Sequence, residues 1–274
     1  MADDRTDVPS LLRFTKEIDQ QLNLDCKDMK QVLIVGGASG IGLSLSLFLT
    51  QQEEVERVYV LDKKPFDEQY KHDKIVADIF DVTSEDYGVL DKYDAVDALY
   101  ITAGYGHLGM VEDFDDKYIR SIFAVNAEGP IRILRHFYPR MLEAKPFHCA
   151  VMVSIAAHLS SPLFAYYSAT KAAVRMFIEA ANVELEVQGS ENRIMEVSPG
   201  SLKGTSFNGG QSDPAQTTAL ACEIVERSIA RQQLFIPQYD EVFKGVLQRY
   251  QDNPHKYGID SYWYKKNGRQ HVKR

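Results

Sequence analysis

Short apolar segments recur along the chain, and most of them are followed by a segment long enough to form a helix. In order they are QVLIVGG, RVYVLD, KIVAD, ALYIT, CAVMVS, RIMEVS and QLFIP. A strand that is apolar throughout is typical of a parallel sheet whose crossover helices cover both faces. The pattern therefore predicts a single α/β domain, a doubly wound parallel sheet of about seven strands with helices on both faces.

The two ends of the chain depart from this alternation. In residues 10–24, Ser10 can act as an N-cap ahead of apolar positions at helical spacing, namely Leu11, Phe14, Ile18 and Leu22. The last part of the chain is polar and aromatic, ends in basic residues and shows no clear periodicity. We expect an N-terminal helical extension over residues 1–30, the sheet domain over 31–251, and a tail over 252–274 that packs on the domain or at a subunit interface.

One internal segment is also exceptional. Residues 198–216, SPGSLKGTSFNGGQSDPAQ, are rich in glycine, serine and proline. A loop of this length inside a compact domain is usually functional or mobile. The segment therefore predicts a lid over a site.

The composition is that of a globular protein, with 45% hydrophobic and 26% charged residues. The net charge of -8 argues against nucleic acid and anionic membranes as partners, because phosphate binding needs a basic surface. The start, MADDRTDVPS, lacks the features of a signal peptide, and no apolar stretch is as long as a membrane span. We therefore expect a cytoplasmic protein that binds neither nucleic acid nor membranes.

Cysteine and histidine positions give no indication of a metal site. Cys26, Cys149 and Cys222 are an odd and scattered set without a CxxC motif. The seven histidines show no ligand spacing. We expect reduced thiols and no metal.

A glycine-rich turn, GGASGIG from Gly36 to Gly42, follows the first strand and opens the first helix. Its glycines permit a tight turn and the close approach of a pyrophosphate, whose charge is met by N–H groups at the helix start. The second strand ends at Asp62, where a carboxylate can accept hydrogen bonds from an adenosine ribose and would repel a 2′-phosphate. We therefore expect NAD in preference to NADP, although Lys63 and Lys64 could face a phosphate.

The segment YYSATK, residues 166–171, suggests an acid/base pair. On a helix, Tyr167 and Lys171 are four residues apart and share a face, whereas Tyr166 points elsewhere. The VMVS strand delivers Ser154 to the same edge of the sheet. An alcohol being oxidised must lose a proton, and the Lys171 ammonium would lower the pKa of the Tyr167 phenol toward neutral pH. The Ser154 hydroxyl could donate to the substrate oxygen as negative charge develops there.

These motifs, together with TAGYG, VNAEG and an SPG followed by a later threonine, resemble the short-chain dehydrogenase/reductase family in its shorter, single-domain form. The similarity covers residues 31–237. It implies a Rossmann-like fold in which Tyr167 is the acid/base, Lys171 also contacts the nicotinamide ribose, and Ser154 holds the substrate oxygen. It also implies that Asn126 anchors a water molecule in a proton relay.

Two positions depart from the family pattern. Val35 stands where the family usually has a threonine before the first glycine, and Thr102 stands where it usually has an asparagine. We expect both replacements to keep the shape of the turn and to lose hydrogen bonds.

The resemblance implies two further sets of ligand-binding residues. The cofactor would contact Gly36, Ser39, Gly40, Ile41, Gly42, Asp62, Asp78, Ile79, Ala103, Gly104, Tyr167, Lys171, Pro199, Gly200, Leu202 and Thr205. The substrate would contact Tyr105, His107, Ala156, Phe164, Tyr166, Ser201 and Phe207. The second set is mainly aromatic and apolar, which favours a mid-sized hydrophobic or cyclic alcohol, such as a steroid, as the small-molecule substrate.

The leading interpretation is an NAD(H)-dependent oxidoreductase that interconverts a secondary alcohol and a ketone. One alternative is a non-catalytic nicotinamide-binding sensor or scaffold, and another is a sugar-nucleotide epimerase or dehydratase. The resemblance also implies a homodimer or homotetramer, in which the helix from Tyr167 and the helix IRILRHFYPRML pair across subunits. The apolar positions of the latter helix could equally pack on the sheet; they are Ile131, Leu134, Phe137 and Tyr138.

Overall fold

The computed structural model describes residues 26–205, 207 and 212–272, with side chains up to residue 268. The helix expected over residues 10–24 lies outside this part of the chain. Each of the seven apolar segments contains a strand. The strands are β1 (Gln31–Val35), β2 (Arg57–Asp62), β3 (Ile75–Ile79), β4 (Ala98–Ile101), β5 (His148–Met152), β6 (Arg193–Val197) and β7 (Leu234–Phe235).

All seven strands are parallel and form one sheet in the order β3-β2-β1-β4-β5-β6-β7. The order reverses beside β1, where Val35 is aligned with Leu61 of β2 on one side and with Ile101 of β4 on the other. Ligands of open α/β sheets bind beyond the carboxyl ends of the strands at such a reversal. The predicted fold class, a doubly wound Rossmann-like sheet, is therefore confirmed.

The connections between the strands are mainly helical. The described helices are α1 (Gly40–Thr50), α2 (Asp116–Phe123), α3 (Gly129–Met141), α4 (Ala165–Val187), α5 (Pro214–Ile229), α6 (Lys244–Asp252) and α7 (Pro254–Val272). Two π-helical turns, Ala124–Glu128 and Tyr239–Phe243, precede α3 and α6. None of the helices in the described part has the length and apolar character needed to cross a membrane.

Alternate residues of the strands enter two separate cores, because successive side chains of a strand point to opposite faces. Leu33 and Val35 pack with side chains of α3 and α4 on one face of the sheet. Val32 and Ile34 pack with side chains of α1 and α5 on the other face. The central strands are thus largely apolar because both faces of the sheet are covered there, whereas the edge strand β3 is mostly exposed.

The end of the chain, which shows no periodicity in the sequence, is helical as far as residue 272. Asn253 is the N-cap of α7, because its side chain accepts a hydrogen bond of 2.9 Å from the N–H of Lys256. Pro254 follows as the first residue of the helix. Trp263 and Tyr264 on this helix are exposed. The helix therefore lacks the continuous apolar stripe by which an amphipathic helix is recognised in a sequence.

Candidate active site

A cavity of about 1130 Å³ lies at the carboxyl ends of the strands. Its walls include Val35, Leu61 and Met152, which lie at or near the ends of β1, β2 and β5. Helices α6 and α7 contribute further wall residues, among them Arg249 and Lys265. The cavity is therefore where the sheet topology places a ligand.

The glycine turn packs against the segment after β4 too closely for side chains. Gly36 has a φ of +89°, and a Cβ there would lie 2.4 Å from the Ala103 nitrogen. A Cβ on Gly42 would lie 2.2 Å from the Gly36 carbonyl oxygen and 2.5 Å from Thr102 Oγ1. Thr102 Oγ1 donates a 2.9 Å hydrogen bond to that same carbonyl. Threonine at this position therefore ties the turn to the end of β4 by a hydrogen bond of its own.

The N-terminus of α1 opens into the cavity and can accept an anion. Gly40 has a φ of +53°, and its absent Cβ would project toward Thr205, whose nearest atoms are 3.8 Å away. The N-cap Ser39 makes no side-chain capping bond, and the N–H of Gly40 donates to Ser212 Oγ at 2.9 Å. A hydroxyl oxygen thus occupies the place where a phosphate oxygen would accept the same hydrogen bond. These features fit a pyrophosphate group.

Asp62 lies at the end of β2 and faces the cavity. Its carboxylate accepts hydrogen bonds from the N–H groups of Ala38, at 3.1 Å, and Lys64, at 3.0 Å. These bonds hold a negative charge beside the glycine turn. Lys63 and Lys64 also line the cavity and are exposed, so both signs of charge are present at this end.

Asp78 and Ile79 do not line the cavity. Asp78 lies within β3, where it accepts a hydrogen bond from the Tyr93 hydroxyl, and Ile79 is exposed. The chain reaches the cavity only after the strand ends, at Phe80, Asp81 and Val82. The apolar pattern marks the strand correctly but not the short extension that carries its ligand-facing residues.

Asp81 forms a compact turn at this point. Its carboxylate accepts hydrogen bonds of 2.8 Å from both the N–H and the hydroxyl of Thr83. These bonds hold the pKa of Asp81 below its usual value. The sequence signal for this turn is the aspartate two residues before a threonine, which the assignment of Asp78 to the cofactor overlooks.

Tyr167 and Lys171 lie on one face of α4 and both line the cavity. The two side chains are buried, and Lys171 Nζ lies 5.8 Å from the centre of the Tyr167 ring. Lys171 donates a 2.8 Å hydrogen bond to the Met152 carbonyl at the end of β5. Contrary to its expected contact with the substrate, Tyr166 lies outside the cavity wall, and its hydroxyl donates to the Val111 carbonyl at 3.1 Å.

Ser154 follows β5 and lines the cavity together with Tyr167. Its Oγ accepts a 3.1 Å hydrogen bond from the N–H of Ala156, and its own N–H donates to Ser198 Oγ at 3.2 Å. Ser154, which follows β5, and Tyr167 and Lys171, which lie on α4, therefore form one group at the wall of the cavity.

This arrangement agrees with the comparison to known proteins. The family model described as short chain dehydrogenase matches residues 30–215. The chain belongs to this family. The resemblance of its motifs to short-chain dehydrogenases/reductases is therefore confirmed.

The similarity to individual members of the family is distant. Dehydrogenase/reductase SDR family member 7B of Mus musculus is 28% identical over 133 residues, which are 48% of this chain and 41% of the mouse protein. The chain spans less than two thirds of the first curated relatives that it matches, because the corresponding shares of the next two are 49% and 60%.

Two solved structures share the fold. A short chain dehydrogenase/reductase from Burkholderia phymatum in complex with NAD has a TM-score of 0.69 at 20% identity, over 84% of this chain and 98% of that one. A short chain dehydrogenase from Burkholderia cenocepacia J2315 in complex with NADP has a TM-score of 0.67 at 19% identity, over 82% and 95%.

Burial dominates the electrostatics of the tyrosine and lysine pair in this family member. It raises the pKa of Tyr167 to about 12, although the hydrogen bond to Ser154 acts in the opposite direction. It lowers the pKa of Lys171 to about 8. The expectation that Lys171 lowers the pKa of Tyr167 is therefore not met, because desolvation penalises both charged forms.

Asn126 lies behind the cavity wall, in the π-helical turn between α2 and α3. Its side chain accepts from the N–H of Tyr105 at 2.9 Å and donates to the Tyr105 carbonyl at 2.7 Å. A Cβ on Gly104 would lie 3.3 Å from both Asn126 Oδ1 and Lys171 Nζ. Asn126 is therefore separated from Lys171 by a glycine, and it fixes the loop after β4 that passes both residues.

Aromatic rings surround Tyr167. The centroids of Phe164 and Phe207 lie 5.6 and 5.0 Å from that of Tyr167, and the two phenylalanines are 5.9 Å apart. Of the other expected substrate residues, Tyr105, His107, Ala156 and Ser201 also line the cavity.

The segment expected to form a lid includes residues that the structure does not describe. Its described residues Pro199, Gly200, Leu202 and Thr205 are part of the cavity wall. That the segment acts as a lid stays a prediction.

The sequence analysis missed the contribution of the C-terminal helices to the cavity. The tail was expected to pack on the domain or at an interface and was not assigned to the site. The structure adds these wall residues: Val242, Val246, Arg249, Asp252, Asn253, Lys256, Tyr257, Asp260, Ser261, Tyr264 and Lys265. Their helical spacing is visible only once the helix itself is known.

One cluster of potential ligand atoms lies outside the cavity wall. Asp91, Asp94 and His136 bring their oxygen and nitrogen atoms within 4.8 Å of one another. Asp91 and Asp94 are exposed, and His136 Nε2 is 3.0 Å from Asp94 Oδ1. This hydrogen bond accounts for the proximity, and exposed acidic groups commonly gather without a metal.

The close packing at Gly42 gives a stability prediction. Gly42→Ala should lower the free energy of unfolding by about 1–3 kcal/mol, because the new Cβ would overlap the Gly36 carbonyl. Urea denaturation measures the change. Gly200→Ala is the matched control, since its Cβ would meet Ile155 Cδ1 at an ordinary 3.5 Å. Equal stability of the two variants would contradict the packing described for the turn.

Proposed function

We propose that this short-chain dehydrogenase is an NAD(H)-dependent oxidoreductase that interconverts a secondary alcohol and a ketone. The observation that carries the proposal is the group formed by Ser154, Tyr167 and Lys171 in the same cavity as the glycine turn. The turn supplies an anion site for a dinucleotide, and the group supplies a proton donor beside a hydrogen-bond donor. A cavity that only bound a nucleotide would not need the group formed by Ser154, Tyr167 and Lys171.

In the proposed reaction the cofactor transfers the hydride and Tyr167 transfers the proton. Bound nicotinamide would supply or accept the hydride at the substrate carbon. In the reductive direction the Tyr167 hydroxyl gives its proton to the carbonyl oxygen, and its raised pKa keeps it protonated near neutral pH. In the oxidative direction Tyr167 must first lose that proton, after which it accepts the proton of the alcohol.

Ser154 and Lys171 support this proton transfer. Ser154 Oγ accepts from the N–H of Ala156 and donates to the Pro199 carbonyl over 3.5 Å, a long bond that a substrate oxygen could replace as the acceptor. Lys171 donates to the Met152 carbonyl, which leaves two of its three N–H donors for the cofactor ribose. Asn126, which fixes the backbone of Tyr105, would hold the adjacent loop and anchor a water molecule beside Lys171.

We propose NAD in preference to NADP. Asp62 is held at the end of β2 by two backbone N–H groups, so its negative charge is fixed beside the glycine turn. The negative charge of Asp62 would repel a 2′-phosphate placed there. Lys63 and Lys64 would offset the repulsion in part, and solved structures of the same fold contain either cofactor.

The lining around Tyr167 supports a mid-sized hydrophobic or cyclic substrate, with steroids as one example. Phe164 and Phe207 form apolar walls next to the reacting group. Tyr257 and Tyr264 extend the aromatic lining onto α7. A flat or cyclic carbon skeleton would bury its apolar surface against these rings.

We propose a homodimer or homotetramer in which α3 and α4 form the subunit contact. The four apolar positions noted on α3 pack at least partly within the subunit, and Leu134 and Phe137 are fully buried there. In contrast, α4 exposes Met176, Val183 and Val187, which are 58%, 60% and 81% accessible. Such an apolar surface on a long helix is typical of an interface.

We also propose a cytoplasmic location, since buried thiols at Cys26, Cys149 and Cys222 suit a reducing compartment.

The acid/base assignment is tested with Tyr167→Phe. Its kcat should fall about 10²–10⁴-fold with a panel of cyclic, steroid and aliphatic alcohols or ketones, because the proton donor is lost. Absorbance of NADH measures the rate. Tyr166→Phe is the matched control, since its hydroxyl bonds to Val111 outside the cavity, and it should keep wild-type activity. Unchanged turnover in Tyr167→Phe would contradict the mechanism, and NADH binding without any turnover would favour a sensor.

The cofactor preference is tested with Asp62→Asn, which keeps an acceptor for the Ala38 N–H and removes the charge. The ratio of kcat/KM for NADP to that for NAD should rise about tenfold, since one unit of close repulsion is relieved. Glu68→Gln removes a charge from an exposed residue outside the cavity wall and should leave the ratio unchanged. If Asp62→Asn leaves the ratio as it is, Asp62 does not select the cofactor.

The subunit contact is tested with Val183→Glu. A buried charge in an apolar interface should convert the oligomer into monomers at micromolar concentration. Sedimentation velocity measures the change. Ile79→Glu, on the edge strand β3, places the same charge at another exposed apolar position, 64% accessible, and should not alter the oligomer. A wild-type monomer would overturn the proposal directly.

A further inference from the structure

Lys265 is a partly buried ammonium group in the wall of the cavity, on helix α7. Its Nζ donates hydrogen bonds to Ser161 Oγ at 2.6 Å and to the Pro162 carbonyl at 2.9 Å. Both acceptors are neutral. Within residues 26–205, 207 and 212–268, no ion pair joins Lys265 to a carboxylate.

Two acidic side chains that also line the cavity, Asp260 and Asp252, are bonded to residues other than Lys265. Asp260, which lines the same part of the cavity, pairs with Lys256 at 2.8 Å. Asp252 accepts a 2.7 Å hydrogen bond from Gln248. Burial lowers the pKa of Lys265 to about 8, and no carboxylate acts against this shift. The ammonium is still mainly protonated at neutral pH and lacks a charged partner in the described structure.

Lys265 is placed close to the reacting group. Its Nζ lies 5.8 Å from the centre of the Phe164 ring, and that ring lies 5.6 Å from the ring of Tyr167. One aromatic side chain therefore separates the ammonium from the proton donor. A cyclic molecule packed against Phe164 could place one end at Tyr167 and the other at Lys265.

A structural role for Lys265 does not explain its charge. A neutral side chain could donate to Ser161 and Pro162 equally well, whereas a partly buried ammonium loses some of its hydration, and no carboxylate among the described residues offsets this loss. Tyr257 and Ser261, which carry hydroxyl groups, line the cavity on the same helix. Together these groups form a set of donors suited to a carboxylate or another acidic group.

We propose that Lys265 selects the substrate by pairing with an acidic group, so that the substrate is a hydrophobic or cyclic alcohol or ketone bearing a carboxylate or similar anion at the end remote from the reacting carbon. This inference rests on the proposed oxidoreductase function. Because the whole chain carries a net charge of -8, it repels anions in general. A local cation inside the cavity is therefore needed for an anionic substrate to bind.

The test compares two ketones that differ only in charge, 4-oxocyclohexanecarboxylate and 4-oxocyclohexanecarboxamide. Calorimetry with NADH-saturated protein at pH 7 should show at least about tenfold tighter binding of the acid, as expected for a hydrogen bond between charged groups. Lys265→Met should abolish this preference, and Lys265→Arg should retain much of it. Lys266→Met is the matched control, because Lys266 is exposed, contacts Tyr262 and Trp263, and lies outside the cavity wall.

The outcomes separate this inference from the oxidoreductase proposal. Equal binding of the two ketones, binding of neither at millimolar concentrations, or a preference that survives in Lys265→Met would overturn the role of Lys265. Turnover that depends on Tyr167 would leave the oxidoreductase proposal intact in each of these cases. A preference for the acid that depends on Lys265 would support the anion site, and if neither ketone were then turned over, the oxidoreductase proposal alone would be contradicted.

Discussion

The site depends on parallel strands that end at one edge of a sheet whose two faces are both covered. Side chains on the faces must be apolar, so polar groups can gather only beyond the carboxyl ends. There the turn after β1 passes within contact distance of Ala103, and only glycine fits at Gly36. The same turn is hydrogen-bonded to Asp62 after β2 and to Thr102 after β4. Three strand ends are thus held together by a single turn, and the rest of the cavity is built around it.

Burial then gives the polar groups their chemical character. Tyr167 and Lys171 are removed from water by the packing of α4 on the sheet, and the pKa of each moves toward its neutral form. The Met152 carbonyl compensates Lys171, and the Ser154 hydroxyl compensates Tyr167. A charged ligand would change this balance more than any side chain does, because within a cavity its interactions are less screened than in water. The site is therefore sensitive to what binds beside it.

Much of this could be predicted from the sequence, because the relevant signals are local or periodic. The apolar segments located all seven strands, since strands covered on both faces must be apolar throughout. The four-residue spacing of Tyr167 and Lys171 correctly placed them on one face of a helix. Tyr166, an expected substrate residue, instead lies outside the cavity wall. Ser154 was correctly placed at the same edge because it follows a strand.

Other features depend on packing that no local pattern encodes. Asp78 has the sequence character of a strand-end acid, yet it is tied to Tyr93, and the chain enters the cavity only at Phe80. The direction of the pKa shift at Tyr167 was wrong because the sequence shows which residues are neighbours and not how deeply they are buried. Helix α7 escaped recognition because one side of it faces a cavity and not a core.

The polarity of the cavity changes along its length, and this gradient orients a ligand. Asp62, Lys63 and Lys64 make the end beside the glycine turn charged, whereas Phe164 and Phe207 make the surroundings of Tyr167 apolar. A charged group placed among the rings would lose its hydration without compensation, except where a donor such as Lys265 stands in the wall. The proposed chemistry thus rests on Ser154 after β5 and on Tyr167 and Lys171 of α4, and the proposed selectivity on Lys265 of α7, a helix that belongs to neither of the two cores. The two can change independently, since substitutions on the cavity side of α7 alter the ligand contacts while the glycine turn and the group around Tyr167 keep their supports.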